Sequence, residues 1–148
     1  MNIKTDEIQS IIECLEQKKL LITETLNITK QIEVQSKQED VDVEELVDKR
    51  QILIDRMKKC DVLINKNIDA LDSDSRDQWQ KIIKHMDAQI SNDREIKAQN
   101  LLKDILELNK RTLALDKVAN KNINTAYIEA KEELIKVRRK NKTDTLFK

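Results

Sequence analysis

The side chains that most often do chemistry are scarce in this 148-residue chain and far apart in sequence. His85 is the only histidine, and Cys14 and Cys60 are the only cysteines. One histidine and two distant thiols do not reach the ligand count or spacing of a zinc site. Glutamates and aspartates are plentiful, yet Glu-x-x-His does not occur, so the ligand pattern of a di-iron helical bundle is missing. The chain contains no glycine, which removes every glycine-rich phosphate cradle. The expectation is a protein that is not an enzyme, with no catalytic residue, no metal and no cofactor. His85 reads as a surface or boundary residue beside Met86. Cys14 and Cys60 read as small, buried or half-buried thiols in a reducing cytosol; a redox or inter-helix pair is the alternative.

Without catalytic groups, the candidate function falls to the elements and the faces they present. The chain lacks proline as well as glycine, and β-hairpins, bulges and tight crossovers draw on both. Charged residues make up 38% of it and aromatics 2%, a composition that suits long helices with solvated outer faces. The predicted fold is all-α: an elongated antiparallel bundle of three long helices with coiled-coil-like packing. It forms one domain over residues 1–148, with a helical extension at 115–140 and a short tail at 141–148.

The first helix is expected from Thr5 or Asp6 to about Gln35, on a stripe of Ile8, Ile11, Ile12, Leu15, Ile22 and Leu26 widened by Leu21, Ile28 and Ile32. The polar stretch Ser36–Asp42 is the first turn, and Asp42 with Glu45 forms a capping-box-like pair. The second helix, Val43 to Leu71, repeats apolar residues at three-four spacing, and Arg50 is its single polar interruption. Asp72–Arg76 is the second turn. From Trp79 the apolar phase passes through Ile83, Met86 and Ile90 to Leu101, Ile105 and Leu108 without a slip. One continuous third helix from about Ser75 to Lys140 is therefore expected, roughly 100 Å long; a break at Ser91–Asp93, giving four helices, is the alternative. Helices of about 45 Å cannot cover such a rod, so part of it overhangs.

Within it, "LLKDILELNKRTL" (Leu101–Leu113) carries two apolar stripes. Leu101, Ile105 and Leu108 form one, and Leu102, Leu106 and Leu113 form another about 120° away. The expectation is burial on two sides, clasped by helices 1 and 2. Beyond Leu113 only one narrower, alanine-rich stripe continues. Leu115, Ala119, Ile123, Ala126, Tyr127, Ala130, Leu134 and Val137 are the candidate partner-binding residues. Small side chains there permit close helix approach, and Tyr127, the only tyrosine, joins an apolar body to a polar tip.

The basic run Lys136, Arg138, Arg139, Lys140 and Lys142 suits a helix C-terminus. No aromatic side chains interleave with it as in single-strand binders, and the 28 basic residues equal the 28 acidic ones, so nucleic acid is not an expected partner. Leu146 and Phe147 make a short apolar hook. The first 25 residues show no signal peptide and no apolar run spans a bilayer, so a cytoplasmic location without membrane insertion is expected.

Three stretches resemble the small flagellar export chaperones of the FliT and FlgN types. "VEELVDKRQILIDRM" (Val43–Met57) is similar to the family's second helix, "NDREIKAQNLLKDILELNKRTL" (Asn92–Leu113) to the acidic-to-leucine stretch of its long third helix, and the basic tail before "TLF" to the end of FliT-type chains. The resemblance implies a cytosolic helical chaperone that shields a late flagellar secretion substrate: the filament-cap protein for the FliT type, hook–filament junction proteins for the FlgN type. It also implies contact with the export ATPase machinery. The alternative is a structural coiled-coil or adaptor protein that self-associates, as a homodimer, through the same stripe.

Overall fold

The computed structural model describes residues 6–146, with side chains as far as Asn141. The described residues form four helices, α1 Glu7–Gln35, α2 Glu44–Asp69, α3 Ser73–Ile83 and α4 Asp93–Leu146. The chain is all-helical among these residues, as its composition requires.

The first two helices lie where their apolar stripes put them. Asp6 caps α1, its carboxylate accepting from the backbone N–H of Ile8 at 3.1 Å and of Gln9 at 3.3 Å, which satisfies two of the orphan donors of the first turn. At the other end the Ser36 N–H donates to the Ile32 carbonyl at 2.8 Å. In α2 the cap differs from expectation. Val43 is the capping residue and offers no side-chain bond; Asp42 reaches only the Glu44 N–H, at 3.4 Å.

The long third helix does not exist as one rod. α3 ends at Ile83, and residues 84–92 form a connector before α4. His85 takes the left-handed conformation, φ 54°. Its N–H donates to the Ile82 carbonyl at 3.2 Å, and the Met86 N–H donates to the Lys81 carbonyl at 2.9 Å. These two bonds make a Schellman stop, which normally employs glycine; a chain without glycine uses histidine. The Cβ of a non-glycine residue makes this conformation costly. His85→Gly is therefore expected to raise stability by about 0.5–1 kcal/mol, checked by thermal melting; an unchanged or lower melting temperature would mean that the imidazole contributes contacts of its own.

α4 then starts at Ser91–Asp93, the alternative break point. The Asn92 side chain accepts from the Glu95 N–H at 2.9 Å. Glu95, only 3% exposed, reaches back to the Ser91 N–H at 3.2 Å and the Ser91 hydroxyl at 2.8 Å, and accepts from the Gln78 amide at 2.8 Å. Burial would raise its pKa, but these donors outweigh that and hold the carboxyl below its ordinary value. This clasp fixes the end of the connector to both α3 and α4.

Ion pairs and side-chain hydrogen bonds give the helix directions. Lys18 meets Asp61 at 2.7 Å and Arg50 meets Thr29 at 3.4 Å, so α2 runs antiparallel to α1. Arg94 grips Asp6 at 2.6 Å, Lys19 meets Asp104 at 2.9 Å, and the Asn122 amide donates to the Ser36 hydroxyl at 3.1 Å. α4 is thus parallel to α1, because α3 and the connector return the chain to the end of the molecule where α1 begins, here termed the base. The long helices run up, down and up, each antiparallel to the long helix before it, and α3 packs at the base.

α1 is the central element. It packs directly on α2 and on α4, whereas α2 and α4 make no close backbone approach to each other. Ile11, Ile12, Leu15 and Ile22 of α1 join Ile64 and Ile68 of α2, Trp79 and Ile82 of α3, and Ala98, Leu102 and Ile105 of α4 in the main core. Toward the upper end the α1 interfaces mix small polar residues with the buried Leu26 and Ile32. The buried Thr25 and Thr29 hydroxyls each donate to the carbonyl four residues back, at 2.8 Å, so they cost little when buried.

α4 has 54 residues and α1 has 29, about 81 and 43 Å of helix respectively. The two begin side by side, so α4 projects beyond the top of α1. It is helical through Leu146, where a tail from residue 141 was expected. Its last turn contains no basic residue, so the run from Lys136 to Lys140 stands too far back to complement the helix dipole. The side chains of Lys142, Leu146 and Phe147 lie outside the described residues, and with them the expected apolar hook.

Candidate functional site

Two apolar surfaces that include α4 are left uncovered. The first is its projecting segment. The eight candidate residues follow one face of α4, and the structure divides that face where α1 ends, at the Ser36–Asn122 contact. Ala119 is fully buried below it and Leu115 is half-buried; these two are core. Ile123 and Ala126 are half-buried at the boundary. Tyr127, Ala130, Leu134 and Val137 are exposed, with Tyr127 at 68% and Leu134 at 50%. The exposed stripe continues the face that packs on α1 lower down; it is bare because α1 stops. Ile128 and Ile135, on the adjacent row, are exposed too.

The second surface is a groove that the sequence reading missed. Its floor is Leu15 and Ile22 of α1, its walls are Ile54, Met57 and Ile64 of α2 and Leu102, Ile105 and Leu106 of α4, and its volume is about 570 Å³. Ile83 and His85 close it toward the base. One turn above Ile54, Arg50 reaches across to α4, donating to Asp116 at 2.7 Å and to Thr29 at 3.4 Å. The one polar residue in the apolar stripe of α2 is therefore the bridge that spans the top of the groove.

The groove also explains the two stripes of Leu101–Leu113. Leu101, Ile105 and Leu108 belong to the core side. Leu102 is buried in the main core as well, and it lines the groove together with Ile105 and Leu106; along the second stripe exposure rises to 41% at Leu106 and 60% at Leu113. The expected clasp by helices 1 and 2 does not form, because α2 stays away from α4. The helix buried on two sides is α1. Of the second stripe only Leu102 is buried; Leu106 lines the groove and Leu113 continues the same open side of α4.

The other candidate groups form no reactive cluster. His85 is exposed at the helix stop, at the base end of the groove. Cys14 and Cys60 are free thiols, and they border one shallow cleft between α1 and α2. Burial pushes both thiol pKa values up, which lowers the thiolate fraction that nucleophilic or redox chemistry needs. Among the described residues no cluster of His, Cys, Asp and Glu could hold a metal ion, and no helix is long and apolar enough to cross a membrane. What the molecule offers is helix-shaped apolar surface. Comparison with protein-family models, with curated proteins and with solved structures finds no match.

Proposed function

We propose that the protein is a non-enzymatic, cytosolic chaperone of the flagellar export type, which binds and shields a late secretion substrate through the projecting part of α4. The observation that carries the reading is the bare stripe Tyr127, Ala130, Leu134 and Val137. It continues a core-facing surface past the point where the chain supplies a helix to cover it. An amphipathic client helix laid on that stripe would bury what α1 buries lower down. The resemblance of Val43–Met57 and Asn92–Leu113 to FliT-type and FlgN-type chaperones supplies the client class: the filament-cap protein, or hook–filament junction proteins. Contact with the export ATPase machinery belongs to the same proposal.

Leu134→Asp is the test, since a half-exposed leucine can change without touching the core. With the filament-cap and hook–filament junction proteins of the same organism as probes, the wild-type chain is expected to form a complex with one of them. The variant is expected to lose at least about tenfold in affinity, the worth of about 1.4 kcal/mol, at an unchanged melting temperature. A tight, concentration-dependent dimer in sedimentation, dissolved by Leu134→Asp, would instead establish the self-associating adaptor. Full client binding by the variant would remove the projecting stripe from the reading.

A further inference from the structure

The groove between α2 and α4 lies on a different part of the molecule from the projecting stripe, and its form and charge describe its own occupant. α3 lies across the gap at the base, touching both α2 and α4 and sending Trp79 and Ile82 into the core. It holds the fourth position of a four-helix bundle for 11 residues, whereas α2 alone runs for 26. Above Ile83 the fourth position is empty, and the apolar walls continue up to the Arg50–Asp116 bridge.

The charges around this space are unbalanced. Of the carboxylates nearest its edge, Asp61 is neutralised by Lys18 and Asp116 by Arg50, both at 2.7 Å; exposed Glu107 lies one row further out, beyond Lys103 and Lys110. Four lysines are not neutralised. Lys58 lines the groove on α2. On α4, Lys103, Lys110 and Lys117 recur every seven residues, a row roughly 40–60° outside Leu106 and Leu113 at 100° per residue. All four are exposed, and none forms an ion pair among the described residues. A helix seated between α2 and α4 would run one of its edges along the α4 row, the geometry in which flanking charges choose the partner of a coiled coil.

We propose that this groove seats a fourth helix supplied by another protein, an amphipathic helix whose apolar face is bordered by aspartate or glutamate along the edge that meets α4. The apolar face fills the volume above α3. The acidic edge pairs with the lysine row, which selects the partner and its orientation. The Arg50–Asp116 bridge limits how far the helix extends toward the top.

Two synthetic amphipathic peptides of about 18 residues, long enough to hold helix on a surface, test the assignment on the full chain. They share one apolar face and carry either glutamate or lysine at the flanking positions. The acidic peptide is expected to bind about tenfold or more tightly than the basic one, with an affinity that falls as salt rises from about 50 to 200 mM. The triple variant Lys103→Glu, Lys110→Glu, Lys117→Glu is expected to reverse that preference. Leu106→Glu and Leu113→Glu, both at exposed leucines, are expected to abolish binding while circular dichroism stays unchanged, and Leu134→Asp is expected to leave it intact. Equal affinity for both peptides would overturn the proposal, as would binding that survives both leucine variants. Loss of binding through Leu134→Asp would move the site to the projecting stripe. A concentration-dependent dimer that excludes both peptides would assign the groove to a second copy of the chain.

Discussion

Trp79→Ala is expected to lower stability by about 3–5 kcal/mol, the range for deleting a buried aromatic, out of a total of about 5–15 kcal/mol. Trp79 is 3% exposed and belongs to the one cluster that joins all four helices. α3 is short and makes few backbone contacts with α2 or α4, so its place at the base depends on Trp79 and Ile82. Removing the indole deletes the larger of the two buried side chains by which α3 joins the core. The expected result is a fall in melting temperature of about 10 °C or more, with a smaller fall for Trp79→Phe. A drop of only a few degrees would mean that α3 is dispensable and that the three long helices are self-sufficient. Because Trp79 is the only tryptophan, its fluorescence follows the opening of the base in the wild-type chain.

Glu95→Ala is the second large effect. The carboxylate is buried and accepts three hydrogen bonds, from Gln78 and from the Ser91 backbone and hydroxyl. Truncation leaves these donors without their charged acceptor, which costs about 2–3 kcal/mol, or about 4–10 °C in melting temperature. A pH dependence accompanies it. The folded protein holds this carboxyl below its ordinary value of 4.5, so the unfolded chain binds the proton more readily. The stabilisation is then fully present above about pH 4.5 and is lost as pH falls through the folded value. Urea midpoints at pH 7 and pH 3.5 measure it: the gap between wild type and Glu95→Gln is expected to narrow in acid. An equal gap at both values would assign Glu95 to packing alone.

Much of the fold is legible in the residues. The bounds of α1 and α2 follow from apolar spacing and polar turns, because those helices bury the faces their stripes mark. The break after Ile83 is not legible. The phase from Trp79 through Met86 and Ile90 to Leu101 continues across it, and no glycine marks the left-handed position that His85 fills. What ends α3 is a backbone motif plus a buried carboxylate reaching from Glu95 to Gln78, and neither alters hydrophobic spacing. The projecting stripe was readable from Tyr127 to Val137. Leu115 and Ala119 share its phase, and only the length of α1 shows that they are core. The groove left two traces, the surplus stripe of Leu102, Leu106 and Leu113 and the lone Arg50 in an apolar row. Interpreting them required knowing that α2 and α4 are held apart.

The contact between Ser36 and Asn122 also divides the molecule thermodynamically. Below it, α4 shares its cooperativity with α1, and those turns open only when the bundle does. Above it, residues 123–146 form a nearly solitary helix, of a length that is marginal in water. Its turns can open at little cost while the core stays intact. A single unfolding free energy therefore describes the bundle below this contact and not the projecting segment. A partner seated on the stripe would have to order those turns as it binds, and its affinity would carry the helix–coil equilibrium of the segment as a built-in discount. Alanines at 126 and 130, the strongest helix formers, keep that discount small.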